Sequence, residues 1–204
     1  MTETLQQGGN DWHLSRVGRV TASKLDAVMA KDTTALYNDY LMELVLQRIT
    51  GNREEGFTNS FMQWGIDNEP EARAAYEAQM GCFVKEVGFY THPRIEMSGA
   101  SPDGLVEPDG LIEIKCPSSK THADSLLTRK PATKYLYQML WQMACTNRNW
   151  CDFVSFDPRF DDGLQLMIVR IPKDEVMIAT LEKAVVAFLA KVDQMVIQLN
   201  AIRK

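Results

Sequence analysis

The chain has no basic excess, little cysteine and no long apolar run, and each shortage narrows its function. Lysines and arginines number 22 against 27 aspartates and glutamates, a formal net charge of -5 over 204 residues. A protein that coats nucleic acid by bulk electrostatics is normally basic. Contact with a polyanion here has to come from a local basic surface, with acids gathered elsewhere, which argues against a DNA-coating protein and leaves a nuclease open. The four cysteines (Cys82, Cys116, Cys145, Cys151) lack C-x-x-C spacing, which argues against a zinc site and a disulfide framework. No stretch approaches the roughly 18 apolar residues that span a bilayer. The opening MTETLQQGGNDW has neither the basic nor the apolar region of a secretory signal. A reducing cytoplasm is the expected location. There is no internal repeat, low-complexity tract or obvious linker, and 45% of the residues are hydrophobic, so one domain over 1–204 is expected.

Helical signals come first along the chain. A short helix is predicted over 11–17, then a second, capped by Ser23, ending near Ala30. Thr33 or Thr34 caps a longer one carrying Leu36, Tyr40, Leu44 and Ile49, stopped by Gly51. Residues 60–80 are helical in pattern, with Pro70 at a kink or a new first turn, and Gly81 ends them. The period then changes. Residues 83–90, 94–99, 104–106 and 111–116 read as short strands, and Glu107-Pro108-Asp109-Gly110 as a turn whose proline presets the backbone and whose glycine relieves the exit. A helix over 133–146, strands at 150–156 and 164–171 and a final helix follow. In that last helix Leu181, Val185, Phe188, Val192, Met195 and Leu199 form a stripe for core packing or an intersubunit contact. The order predicts an α/β (α+β) fold with a central mixed sheet flanked by helices.

The chemistry concentrates in residues 101–117, SPDGLVEPDGLIEIKCP. Asp103 lies in a Pro-Asp-Gly corner, and Glu113 and Lys115 are two apart in an apolar run. They should share one face while Ile112 and Ile114 enter a core. Two acids and a lysine converging at a sheet edge suit a hard divalent cation and a water beside it. Asp103, Glu113 and a backbone carbonyl near Ile114 are the candidate ligands, and Lys115 would orient or deprotonate the water or stabilise transition-state charge. From spacing alone a solvated hairpin explains the segment equally well. Glu69 adds a carboxylate from a helix, or simply complements that helix's dipole. Arg16, Ser23 and Ser101 together suit a phosphate, through a guanidinium fork and hydroxyl donors. Gln138 and Gln142 share one helix face and contact substrate or solvate that face. His13, beside Trp12, has no assigned role.

In order, WHLSRVGRVTAS (12–23), WGIDNEPEAR (64–73), GASPDGL (99–105), GLIEIKCP (110–117) and YLYQMLWQM (135–143) resemble the YqaJ-type viral recombinases. These are phage lambda exonuclease-like members of the PD-(D/E)XK nuclease superfamily. Phe156-Asp157-Pro158-Arg159 resembles that family's Tyr-Asp-Pro-Arg segment. The resemblance implies a restriction-endonuclease-like core and a magnesium-dependent 5'-to-3' exonuclease on linear double-stranded DNA, with Mn2+ as a substitute cation. It would degrade the 5'-ended strand to mononucleotides and leave 3' single strands for a single-strand annealing protein in DNA recombination. By match to the motifs, Asp103, Glu113 and Lys115 are the catalytic core, and Asp103, Glu113, Ile114 and Glu69 the metal ligands. Arg16, Ser23, Ser101 and Gln138 match the site for the 5' phosphate. A homotrimeric ring with basic residues inside is implied, in a bacterial host cytoplasm and of phage or prophage origin. One departure is Gln142, where the wider superfamily often has tyrosine four residues after the glutamine. The alternatives are an endonuclease of the same superfamily, a DNA-end-binding module without catalysis, and metal-free acid–base chemistry on a sugar.

Overall fold

The computed structural model describes residues 7–52 and 59–202. Its central layer is a five-stranded sheet in the order β2 (Val84–Lys85), β5 (Gly104–Val106), β6 (Gly110–Lys115), β7 (Trp150–Phe156), β8 (Leu166–Pro172). Only β6 and β7 run parallel. A parallel pair needs a long crossover, and α5 (Ser119–Thr128) with α6 (Thr133–Thr146) supplies it. The sheet is mixed, as expected, but β6 is its middle strand. The acid–lysine segment therefore ends a central strand and does not lie at a sheet edge, and both faces of that strand are covered. Leu111 joins Cys151 and Phe153 in the larger core cluster, beneath α6 and α7 (Glu175–Ala201). Ile112 and Ile114 join Val154 and Phe156 against Ala72 and Tyr76 of α4 (Ser60–Met80).

A smaller sheet has the order β1 (Val20–Thr21), β4 (Ser98–Ala100), β3 (Tyr90–Thr91). The predicted strand 83–90 is thus two strands in different sheets. Phe89 packs over the bare Cα of Gly99, where a Cβ would lie 2.3 Å from its ring, and this holds β3 against β4.

Of the helix predictions, α1 (Asn10–Arg16) and α3 (Ala35–Thr50) form where expected. Thr34 accepts a bond from the Tyr37 N–H, and Gly51 closes α3 at φ 70°. Leu36 is outside the buried stripe at 52% exposure; Tyr37 and Leu41 carry it with Tyr40 and Leu44. Ser23 does not cap the next helix. It lies inside a 3-10 turn (Ala22–Lys24) that leads into α2 (Leu25–Met29), and its side chain lines a cavity. Pro70 starts no new helix, since α4 runs through it from the Asn59 cap to Gly81 at φ 64°. The N–H that proline lacks costs a bond to the Ile66 carbonyl, on an exposed turn where water can replace it. Helix α5 was not anticipated. In α7 the stripe packs into the core through Leu181, Val185, Phe188 and Val192, with Phe188 against the Tyr37 and Tyr40 rings. Leu199, at 39% exposure, is outside it.

The β5–β6 turn differs from expectation in one residue. Glu107 takes the left-handed backbone, φ 49°. Gly110 pairs with Val106 inside the ladder. Its lack of a side chain is needed for another reason: a Cβ there would lie 2.0 Å from the Trp150 indole.

Candidate active site

The antiparallel β5–β6 pair and the parallel β6–β7 pair together set the site. Gly104 lies opposite Ile112, which brings the preceding Asp103 beside the end of β6. There Oδ2 of Asp103 accepts the Ile114 backbone N–H at 2.7 Å. Glu113 and Lys115 share a face, as alternation requires, and their side chains are hydrogen-bonded. That face is turned to α6, because Phe153 and Ser155 are their partners across the parallel pair. Glu113 is fully buried. Gln138 and Gln142, one turn apart on α6, donate to it: Gln138 to Oε1 at 2.7 Å and Gln142 to Oε2 at 2.6 Å.

Glu69 reaches the same region from α4. It accepts from Arg73 at 2.6 Å, and Arg73 also reaches the Asp103 carbonyl (3.3 Å) and Glu86 (2.7 Å). Glu69, Ile114, Lys115, Cys116, Lys134 and Tyr135 line a cleft of about 600 Å³, with Phe61, Met62 and Ile66 along its side. Burial raises the Asp103 pKa well above the ordinary carboxylate value, reinforced by repulsion from Glu113 and Glu69 against the pull of Lys115. Burial likewise raises Glu69, despite Arg73 and Lys115. For Lys115 burial acts downward, but Glu113 and Asp103 outweigh it and hold the pKa above the usual lysine value. The lysine is therefore an ammonium. Burial, with Glu69 nearby, pushes the Cys116 thiol up to about 12, so it lines the cleft as a neutral thiol.

Among the described residues no three His, Cys, Asp or Glu side chains form a ready-made metal cage. Magnesium does not need one, because it is held by one or two carboxylates and keeps several waters. An all-oxygen set of Asp103, Glu113 and a backbone carbonyl fits that preference. Mutual repulsion among Asp103, Glu113 and Glu69 is the electrostatic condition that a cation relieves.

A second cavity, about 40 Å³, is lined by Arg16, Arg19, Thr21, Ser23, Lys24 and Tyr40, with Glu43 paired to Lys24. At its border Ser101 Oγ accepts from Trp12 Nε1 (2.8 Å) and Arg16 Nη1 (3.2 Å), and the Arg16 guanidinium lies 4.2 Å from the Trp12 ring centre. The predicted set Arg16, Ser23 and Ser101 is thus gathered in one place. Gln138 is apart from it, on Glu113. His13 packs edge-on against Trp12. Asp157 and Arg159 close on each other, with Arg159 over the Trp64 ring at 4.3 Å. Sequence reasoning missed Arg73, Tyr135 and the bond from Gln142 to Glu113. The glutamines had a usable signal, since spacing of four on a helix facing β6 aims both amides one way. Nothing local marks Arg73, whose partners are brought to it by the fold.

Residues 11–149 match the YqaJ-like viral recombinase domain family. The structure is similar to an alkaline exonuclease from Laribacter hongkongensis, with 46% identity, TM-score 0.90, and 95% of this chain and 97% of that chain covered. It is equally similar to the same enzyme in complex with dAMP, at 46% identity, the same coverage and TM-score 0.91. A phage-related exonuclease from Haemophilus somnus 129PT shares the fold at 17% identity, with TM-score 0.73 over 89% of this chain and 96% of that one. No curated protein matches. With that family match over most of its length and a PD-(D/E)XK core carrying Asp103, Glu113 and Lys115, the chain belongs to the YqaJ-like viral recombinase domain family.

Proposed function

We propose that this chain is a magnesium-dependent 5'-to-3' exonuclease on linear double-stranded DNA, releasing mononucleotides and leaving a 3' single strand for an annealing protein. The family makes it a nuclease with DNA as substrate. The direction, the metal and the partner are the proposal. One observation carries it: the segment Ser101-Pro102-Asp103 joins the two sites. Ser101 borders the Arg16 cavity while Asp103, two residues on, bonds to β6 beside Glu113. An arginine with serine hydroxyls suits a terminal phosphate, so a strand anchored there by its 5' end would present its nearby phosphodiesters to the carboxylates.

Asp103, Glu113 and the Ile114 carbonyl would hold Mg2+, with Mn2+ as a substitute and Glu69 serving a second ion. A bound divalent ion neutralises phosphate charge and lowers the pKa of a water it carries. Lys115, held as an ammonium by Glu113, stabilises charge developing on the phosphate. Gln138 and Gln142 hold Glu113 in one orientation. Phe61, Met62 and Ile66 give the cleft an apolar side against which bases can pack. By likeness to the family, the working form is a trimeric ring in a bacterial host cytoplasm.

The test is a digestion time course with Mg2+ on linear duplexes bearing 5' phosphate or 5' hydroxyl ends. Mononucleotides released first from 5'-phosphorylated ends are expected, with no cutting of closed circles. Equal cutting of closed circular DNA points to an endonuclease instead. Tight end binding with no turnover points to a binding module.

A further inference from the structure

We propose that Gln142 is a positioning residue that keeps Oε2 of Glu113 as the oxygen available to a divalent cation. The inference rests on the proposed function, in that Asp103 and Glu113 hold the metal. A carboxylate oxygen has two acceptor sites. On Glu113 both sites of Oε1 are taken, one by the Lys115 ammonium and one by Gln138 at 2.7 Å. Among the described residues Oε2 receives Gln142 alone, at 2.6 Å, which leaves one of its acceptor sites. The two oxygens of a fully buried side chain are thus unequal. Ionic and amide donors saturate one, and the other is half open.

Gln142 is itself fully buried. Its amide orientation is fixed by chemistry, since only the NH2 end can face a carboxylate. That leaves its own Oε1 as a buried oxygen without a hydrogen-bond partner among the described residues. An unpaired buried acceptor is costly, and Gln142 carries that cost so that its NH2 end can meet the buried carboxylate. The gain lies at the other end of the amide. By occupying one site of Oε2, Gln142 prevents the carboxylate from rotating and aims the remaining lone pair in one direction. Gln138 has less to do, because Lys115 holds the same oxygen. The two amides, four residues apart on α6 and alike in sequence terms, are therefore unequal in effect.

The experiment is calorimetric titration of MnCl2 and MgCl2 into DNA-free protein, comparing the parent with Gln142→Met and Gln138→Met. Gln142→Met should weaken metal binding about 10- to 100-fold, and Gln138→Met by no more than about threefold. In digestion assays the Mg2+ concentration for half-maximal rate should rise in Gln142→Met by the same factor, with the rate largely restored at saturating metal. Metal binding by Gln142→Met within about twofold of the parent overturns the proposal, as does an equal or larger effect of Gln138→Met. Should Gln142→Met not fold, the parent suffices. Its Gln142 side-chain NH2 resonances should shift on Mg2+ addition with the calorimetric midpoint, and resonances unmoved at saturation overturn the assignment. A parent protein that binds neither ion overturns the proposed metal site itself, a failure separate from a Gln142 variant that binds as well as the parent.

Discussion

Glu113 and Asp152 are buried carboxylates on adjacent strands, facing opposite sides of one sheet, and they are held in opposite ways. Asp152 is closed by one partner of matching shape. Arg170 donates to its two oxygens at 2.8 and 2.9 Å, Tyr76 adds a phenol at 2.8 Å, and the guanidinium lies 3.6 Å from the Trp150 ring centre. Burial and the bond to Asp152 raise the Tyr76 pKa, so the phenol stays a donor. Glu113 meets one ammonium and two amides, and shares its surroundings with Asp103 and Glu69. One buried charge is complete within the fold, and the other belongs to a group with surplus negative charge. Burial alone therefore says little about role; the sign of the neighbours says more.

The sharpest way to break this comparison is to neutralise a carboxylate on each side. Asp103→Asn should lower the digestion rate about 1,000-fold while end binding persists, as expected when a transition-state contact is lost. Because its pKa is raised, ionised Asp103 destabilises the metal-free fold. The sign is that of a burdened acid: parent stability rises as protons neutralise it, and Asp103→Asn should melt at or above the parent. Melting scans without divalent metal check this, and a lower melting temperature would falsify the surplus-charge account. Asp152→Ala should do the reverse. It leaves the Tyr76 and Arg170 donors unpaired at a cost of about 2–3 kcal/mol, or roughly 5–10 °C of melting temperature. Activity per folded molecule should survive.

Smaller effects sharpen the same contrast. Arg16→Ala removes the guanidinium proposed to hold the terminal phosphate but no group near Glu113, so only end selectivity should fall. About a tenfold loss of preference for 5' phosphate over 5' hydroxyl is expected from paired initial rates. The smallest effect concerns Asp157, an aspartate closed on an arginine as Asp152 is. Burial opposes its charge, but the bonds from Arg159 prevail and lower its pKa from 3.8 to about 2. Its contribution should be complete above about pH 3.8 and disappear as pH falls toward 2. Urea unfolding of the parent and Asp157→Asn across that interval should show their stability gap narrowing.

Much of this is legible in the sequence alone. Helix ends marked by Thr34, Gly51 and Gly81 are local events, set by one side chain or one backbone conformation, and they fell where the sequence indicated. The alternation that put Glu113 and Lys115 on one face is equally local. What escaped depends on distant partners. The run 83–90 divides because its two ends pair with different partners, β5 and β4, with Phe89 packed on Gly99 at the second, and no periodicity contains those encounters. Helix α5 is short, at ten residues, and mostly polar, so few apolar positions announce it, although Ser118 caps it by accepting the Thr121 N–H. The motifs pick out Asp103, Glu113 and Lys115 as a group, and the fold brings them together, but the inequality of Gln138 and Gln142 depends on which oxygen of Glu113 each one meets.

Gly110 has a consequence for how this site tolerates change. Any side chain at 110 must push Trp150 aside or shift β6 along β7. A one-residue slip would exchange the faces of the whole strand, turning Ile112 and Ile114 toward the glutamines and Glu113 into the apolar layer under α4. The alignment of the buried Glu113 carboxylate thus depends on an empty space three residues upstream. A methyl group added there would be a small change in volume and, for the chemistry, the loss of a coordinate system.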